Sequence, residues 1–257
     1  MQNRIYSMDN PKAIKAQGFG WLNAIHYMAP ADLAGVGNLC PAASEGCKAI
    51  CLGWHSGQAG MARGDEHNSV RASRVAKARR FMTDRAAYLA DLVRATELAE
   101  SKAAAMGLRL CVRLNGSTDI VWERIRVMRG GVEYPNMMVA FPSVQFTDYT
   151  KLASRFARPL PANYSLTYSR TDGRDVDALR LLTAGHNVAI VFSGERPRQW
   201  CGVAAIDGDA HDLRHLDPRG VVVALAPKGR AAKRDRTGFV WRPLRDLIDA
   251  EAERARA

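Results

Sequence analysis

The chain has 257 residues, 47% hydrophobic and 25% charged, with 37 Lys and Arg against 26 Asp and Glu and a formal net charge of +11. That size and composition predict one large domain with a full core and exclude a disordered tail, a collagen-like fibre and a disulfide-knotted mini-protein. No run approaches the roughly eighteen apolar residues that a membrane-spanning helix needs. Residues 1–12 lack the basic-then-apolar pattern of an export signal, so a cytoplasmic protein without a membrane partner is expected.

Residues 1–17 read as a polar lead-in, and 18–29, GFGWLNAIHYMA, as the first strand. A Gly/Pro-rich loop over 30–64 follows and holds three of the five cysteines. An Ala/Leu/Arg-rich helical region runs from Asn68 to Met106, with caps at Asn68 or Ser69 and a break near Thr83, and Gly107 stops it. Apolar strand-like runs then recur: LRLCVRLN (108–115), VQFTDYT (144–150), YSLTYS (164–169), NVAIVFS (187–193), GVAAID (202–207) and GVVVALAP (220–227). The amphipathic segment 175–185 ends in Gly185, directly before a strand. Strand–helix–strand succession implies parallel strands with right-handed crossovers. The expected fold is α/β, a parallel-sheet partial (β/α) barrel of about six strands. It is expected to be a single domain over 1–257, closing with a basic loop and C-terminal helix over 228–257.

In such folds polar residues at the C-terminal strand ends line the active face. That rule selects Asn115, Ser117, Thr118 and Asp119, then Asp148, Tyr149 and Lys151, then Ser169, Arg170 and Asp172. Ser193, Glu195 and Arg196 follow the next strand, Asp207, Asp209, His211 and Asp212 follow GVAAID, and Lys228 and Arg230 follow the last strand. Loops are polar in any case, so the recurrence at every strand end carries the inference rather than any one residue.

The sharpest local signal is Cys40-Pro-Ala-Ala-Ser-Glu-Gly-Cys47-Lys-Ala-Ile-Cys51. Three thiols this close suit one metal centre. Zinc would take His55 or His67 as a fourth ligand in a structural site, or water in a catalytic one. An iron–sulfur cluster on three thiolates leaves one iron open. Free buried thiols are the remaining alternative. Cys111 and Cys201, in or beside strands, read as core residues.

The triad follows the first strand and precedes the long helix, and the second strand ends in the turn 113–119, RLNGSTD. This order resembles the radical S-adenosylmethionine enzymes, whose cysteine spacing is three then two residues; here it is six then three, with Ile50 before the last cysteine. The blocks CPAASEGCKAICL, RLNGSTDIVWE, VQFTDYTK, NYSLTYSR and IDGDAHDLRHLDPRGVVVALAPKGR resemble phage and prophage proteins related to the gene-product-88-like group. That resemblance implies a phage-encoded protein acting in a bacterial host cell. It also implies that the cysteine loop and the strand-end residues form one site.

Other constellations add candidates. The stretch from Asp207 to His215 places three carboxylates and two imidazoles within nine positions. It suits a divalent metal or an acid/base pair through His211, and equally an Asx-rich turn. Asp119 reads as a catalytic carboxylate or as a helix cap. Lys228, Arg230, Lys233, Arg234 and Arg236 suit phosphate contact. Arg71, Arg74, Lys77, Arg79, Arg80 and Arg85 form a second cluster, a phosphate-binding or simply solvated helix face. Tyr149, Tyr164, Tyr168 and Trp200 are candidates to stack a base or to fill the core. Walker, GxGxxG and GxSxG motifs are absent.

Taken together, the residues predict an iron–sulfur enzyme with a radical S-adenosylmethionine-like reaction on a nucleic acid or nucleotide. Its [4Fe-4S] cluster would sit on Cys40, Cys47 and Cys51. Asp119, Asp148, Lys151 and His211 are the catalytic candidates, and Asn115, Ser117, Arg170, Asp207 and Asp209 the cofactor-binding ones. Lys228, Arg230, Lys233 and Arg234 would hold phosphate. A zinc enzyme of base exchange or modification using Asp119 is the second reading. The third is a non-catalytic phage nucleic-acid-binding protein that zinc merely stabilises. The oligomeric state stays open.

Overall fold

The computed structural model describes residues 5–61 and 68–243. His67 and the part of the expected C-terminal helix beyond residue 243 lie outside the described residues. In chain order the elements begin with β1 (Tyr6–Ser7), α1 (Pro11–Gln17), β2 (Trp21–His26), α2 (Glu45–Ala49) and α3 (Leu52–His55). The long helices α4 (Ser69–Thr83) and α5 (Arg85–Ala105) lead to β3 (Arg109–Arg113). Next come β4 (Val127–Arg129), β5 (Val132–Tyr134), α6 (Met137–Ala140), β6 (Gln145–Thr150) and β7 (Tyr164–Ser169). The chain continues with α7 (Asp175–Thr183), β8 (Val188–Val191), β9 (Gln199–Trp200), β10 (Val203–Asp207), β11 (Val222–Leu225) and α8 (Gly229–Lys233).

These elements form a mixed α/β fold on a nine-stranded sheet ordered β1-β2-β3-β6-β7-β8-β11-β10-β9. From β2 to β10 every neighbouring pair is parallel, and only the edge strands β1 and β9 run antiparallel. The parallel set therefore holds seven strands, in line with the expected count of about six, and the short run 202–207 supplies one of them by pairing residues 205–207 with β11. No ladder joins β1 to β9 among the described residues, so the sheet is not closed by pairing.

The lead-in is more structured than its polarity predicts. Pro11 opens α1, and the Asn10 side chain accepts the Ala13 amide at 3.0 Å, which caps the first turn. Gly20, at φ 79°, then turns the chain into β2, so the first strand is shorter than the apolar run that announced it. The helix break falls where expected: Asn68 caps α4 through the Arg71 amide, and Asp84 separates α4 from α5. A small antiparallel hairpin, β4–β5, went unpredicted. Its turn is Gly130-Gly131 with both φ positive, the pair that a two-residue hairpin requires.

Alternation along the strands divides the core. Leu22 and Ala24 of β2, Val112 of β3 and Phe146 of β6 pack with Phe81, Tyr88 and Leu92 of α4 and α5. Trp21 and Cys111, displaced by one residue, instead meet Ala16 and Leu213. Leu213 belongs to the β10–β11 connection, which packs its short turn Arg214–Leu216 against β6 and β7. On β8 and β11, Ile190 and Val222 pack with Leu181 and Leu182 of α7.

Candidate functional site

Parallel strands end on the same side of the sheet, so their loops converge. The convergence encloses a cavity of about 200 Å³, walled by Asn115 to Asp119 after β3, Thr150 and Lys151 at the end of β6, and Ser169 of β7. Val191 and Leu225 close it from β8 and β11, together with Lys228 and Phe239. Cys40, Cys47 and Cys51 form the facing wall.

The cysteine loop is fixed by local chemistry. Asn38 Oδ1 accepts the Cys40 amide at 2.8 Å, and Ser44 Oγ caps α2 by accepting the Cys47 amide at 3.1 Å. Ser44 also bonds Thr171 and Asp172 beyond β7. The Asp119 amide donates to Leu39 O at 2.9 Å, which ties the loop to the β3 turn. Gly53 is required where α3 meets that turn: a Cβ there would stand 2.3 Å from Ser117 Cβ.

The three thiols share the cavity, and each raises or feels the ionisation of another. Burial pushes Cys40 up to about 12 and Cys51 up to about 11; it also raises Cys47, against which the Lys151 charge works. They are neutral thiols near pH 7. Cys40 Sγ lies 3.7 Å from the Ser117 carbonyl. Among the described residues no group of three or more His, Cys, Asp and Glu stands arranged to hold a single metal ion. Cys47 is hydrogen-bonded to the Lys151 side chain. His55 is not on the cavity wall.

The other candidates divide into cavity residues and their supports. Asp119 and Lys151 line the cavity. Asp119 Oδ2 accepts the Lys151 amide at 2.8 Å, and Oδ1 accepts Arg155 Nη1 at 3.2 Å. Lys151 is 9% exposed; its Nζ donates to Ser169 Oγ at 3.0 Å and stands 4.6 Å from the Phe239 ring. Ser117 lines the wall and donates to Met28 O at 2.6 Å. Asn115 also lines it, but its amide is occupied in shaping the turn: Oδ1 accepts from Thr118, Ile120 and Trp122, and Nδ2 donates to Ile120 O.

Asp148 lies off the cavity, accepting the Asn115 amide at 2.6 Å and the Tyr164 hydroxyl at 2.9 Å. Burial pushes its carboxyl up to about 7. Arg170 also stands behind the wall, where Nη1 donates to Phe239 O at 3.0 Å and Nε pairs with Asp175 at 2.6 Å. Asp209 receives Lys228 Nζ at 2.6 Å and the Ala226 amide at 2.9 Å, which sets Lys228 on the wall. Arg196 bridges Asp209 and Asp207. His211 packs on Phe19, 4.9 Å between ring centres, and is not on the wall. The structure thus divides the Asp207–His215 constellation: Asp209 holds Lys228, His211 packs on Phe19, and Asp212 reaches the cavity wall beside Arg113.

Of the two basic clusters, only the first is a free surface. Arg230, Lys233 and Arg234 are exposed on α8 or at its end, while Ala232 of the same helix lines the cavity. The α4 cluster instead clamps neighbouring segments. Arg71 and Arg74 donate to Trp54 O and Gly53 O, Arg79 donates to Ala34 O at 2.9 Å, and Arg80 pairs with Asp91.

Three contributors escaped sequence reasoning. Arg113 lines the cavity, 3.6 Å from Asp212 and 4.6 Å from the Tyr149 ring. Its signal was its place on the same strand face as Cys111, just before the β3 turn. Arg155 orients Asp119 from a segment that reads as an ordinary loop. Phe239 lies beyond the last predicted strand and carried no pattern at all.

Residues 4–243 match the family model described as Gene product 88. The chain belongs to the gene product 88 family. The match spans every candidate from Cys40 to Arg234 and supports the phage-type origin that the motif blocks implied. No curated protein and no solved structure matches the chain, and the comparisons lend no support to the radical S-adenosylmethionine resemblance. No helix among the described residues is long and apolar enough to cross a membrane.

Proposed function

We propose that this gene product 88 family member is a metal-thiolate enzyme acting on a nucleic acid or nucleotide in the bacterial host cytoplasm, with an iron–sulfur cluster on Cys40, Cys47 and Cys51. One observation carries the reading: Lys151 is almost fully buried, lines the cavity with the three thiols, acts on Cys47 and Cys51, and has no carboxylate within ion-pair distance among the described residues. A buried cation needs a counter-charge. Three thiolates on a [4Fe-4S] core of charge +2 leave a net charge of −1, which Lys151 balances.

The donor set fits a cluster better than a single ion. Three soft thiols lining one cavity supply the ligand type that iron–sulfur clusters take, with one iron left for another ligand. When bound, the cluster supplies electrons and one open iron position for a ligand of S-adenosylmethionine type. In this reading the parallel sheet acts as a partial barrel whose strand ends carry the reaction. Asp119, held by Lys151 N and Arg155, presents a fixed carboxylate to the ligand. Lys228 and Arg113 bring positive charge to the opposite wall for a phosphate. The apolar residues Ile50, Val191 and Leu225 limit water.

Zinc on the same three cysteines is the second reading, favoured by Asp119 standing on the cavity wall as base or nucleophile for base exchange. Anaerobic purification followed by metal analysis and an absorption spectrum decides. Iron with visible charge-transfer bands, lost in Cys40→Ala, Cys47→Ala and Cys51→Ala, is the expected result. A colourless, iron-free protein overturns the cluster; stoichiometric zinc in that protein moves the function to the second reading, or to zinc-stabilised binding if Asp119→Asn changes nothing.

A further inference from the structure

We propose that the cavity mouth receives one unpaired nucleotide of a single-stranded nucleic acid, stacked on Phe239, with the strand's phosphates on the α8 cations. The proposal rests on the nucleic-acid reading of the cavity and narrows it to one kind of ligand. Arg230, Lys233, Arg234 and Arg236 are all exposed, and none is paired with a carboxylate among the described residues. A run of cations left without counter-ions beside a cavity suits a string of phosphates.

The same short segment supplies the ring. Phe239 follows Arg236 by three residues and lines the cavity. Its strap is held firmly: Asp235 accepts the Val240 amide at 2.9 Å, Trp241 N donates to Val191 O at 2.8 Å, and Arg170 grips the Phe239 carbonyl. A ring fixed before binding loses little entropy when a base stacks on it. The ring is partly buried against Ile50 of the cysteine loop, Ala232 and Val240, so a base inside a duplex, covered by its neighbours, does not reach it. A free mononucleotide reaches it but lacks the flanking phosphates that four cations would hold.

The test uses the full chain and fluorescence anisotropy with a short mixed-sequence strand, its duplex and a mononucleotide. The single strand should bind best, with a log–log salt slope near −3, from about −0.7 per neutralised phosphate at four cations. Arg230→Ala/Lys233→Ala/Arg234→Ala/Arg236→Ala should flatten that slope. Phe239→Ala should lower affinity about 5- to 150-fold for an intact strand and not for an abasic one. Phe239→Trp, which keeps the platform if Phe239→Ala folds poorly, should bind with quenched tryptophan fluorescence. Equal or tighter duplex binding, a slope unchanged in the quadruple variant, or unquenched Phe239→Trp overturns the proposal. Metal content measured on the same samples separates the failures. Metal-free protein that binds the strand overturns only the cysteine reading, and metal-loaded protein that ignores the strand overturns only this one.

Discussion

Replacing Arg155 with Met removes the cation that holds the β3 turn to the loop after β6. The guanidinium side chain is 3% exposed and reaches Glu123 through both oxygens, at 3.0 and 2.7 Å, Asp119 at 3.2 Å and the Tyr164 hydroxyl at 2.8 Å. Met fills a similar volume, so the cavity term is small and the loss is electrostatic. Two carboxylates, 9% and 13% exposed, are left without their counter-charge, and neither is open enough to water for strong screening. Breaking a buried pair of this kind costs about 3–5 kcal/mol. At about 2–4 °C per kcal/mol for a chain of this size, Tm should fall by roughly 6–20 °C. Urea and thermal unfolding measure the loss. Arg155→Lys should lie between, because an ammonium keeps the charge and not the two-pronged geometry. Arg155→Met/Glu123→Gln should recover about 1–3 kcal/mol of the summed single losses. A fall below about 1 kcal/mol, or strictly additive single variants, would refute the account of Arg155 as the charge that organises this wall.

Three further outcomes follow from the geometry. His26 is buried and neutral, with Nδ1–H donating to Leu114 O and Nε2 accepting from Tyr88 at 2.6 Å, and burial holds it down at about 3. The unfolded chain takes up that proton below about 6.5, so His26 removes stability as pH falls from 6.5 towards 3, whereas Asp148, raised to about 7, removes stability as pH rises from 3.8 to 7. The two oppose each other between pH 4 and 6.5, so Asp148→Asn should steepen acid destabilisation by about 1.4 kcal/mol per pH unit in that window; parallel stability–pH curves would count against it. Gly53→Ala should displace α3 and Cys51 from Ser117 and lower metal per chain, with Ser117→Gly restoring part of it; unchanged metal content contradicts the close contact. Lys151→Met should lower iron retention while stability changes by no more than about 1–2 kcal/mol, since Nζ hydrogen-bonds Ser169 and Cys47 and makes no ion pair among the described residues; full retention removes the charge-balance argument.

Much of the scaffold was legible along the chain. Apolar runs such as 187–193 and 220–227 became β8 and β11 because a strand buried on both faces must be apolar throughout. The helix break at Thr83 and the cap at Asn68 were local chemistry, read from one or two residues. The cysteine loop was placed correctly after the first strand, since a loop that follows a parallel strand must emerge at its C-terminal end. The α1 and β1 elements were missed because α1 buries little more than Ala13 and Ala16, and β1 is two residues long with a single core side chain, Tyr6, too short for any alternation to show.

The sequence alone determined that strands alternate with connections, that three thiols lie on one loop, and that the strand ends are polar. Only the tertiary structure decided which of those polar groups face the cavity. Asp119, Lys151 and Lys228 do, while Asp148, Arg170 and Asp209 stand behind as the groups that hold them. It likewise turned the α4 arginines from a supposed phosphate face into clamps on the cysteine loop and left the α8 cations exposed. The physical reason is that a charged side chain's role depends on partners far away in sequence. Arg155 meets Asp119 across 36 positions and Arg170 meets Phe239 across 69, and no local pattern records such meetings.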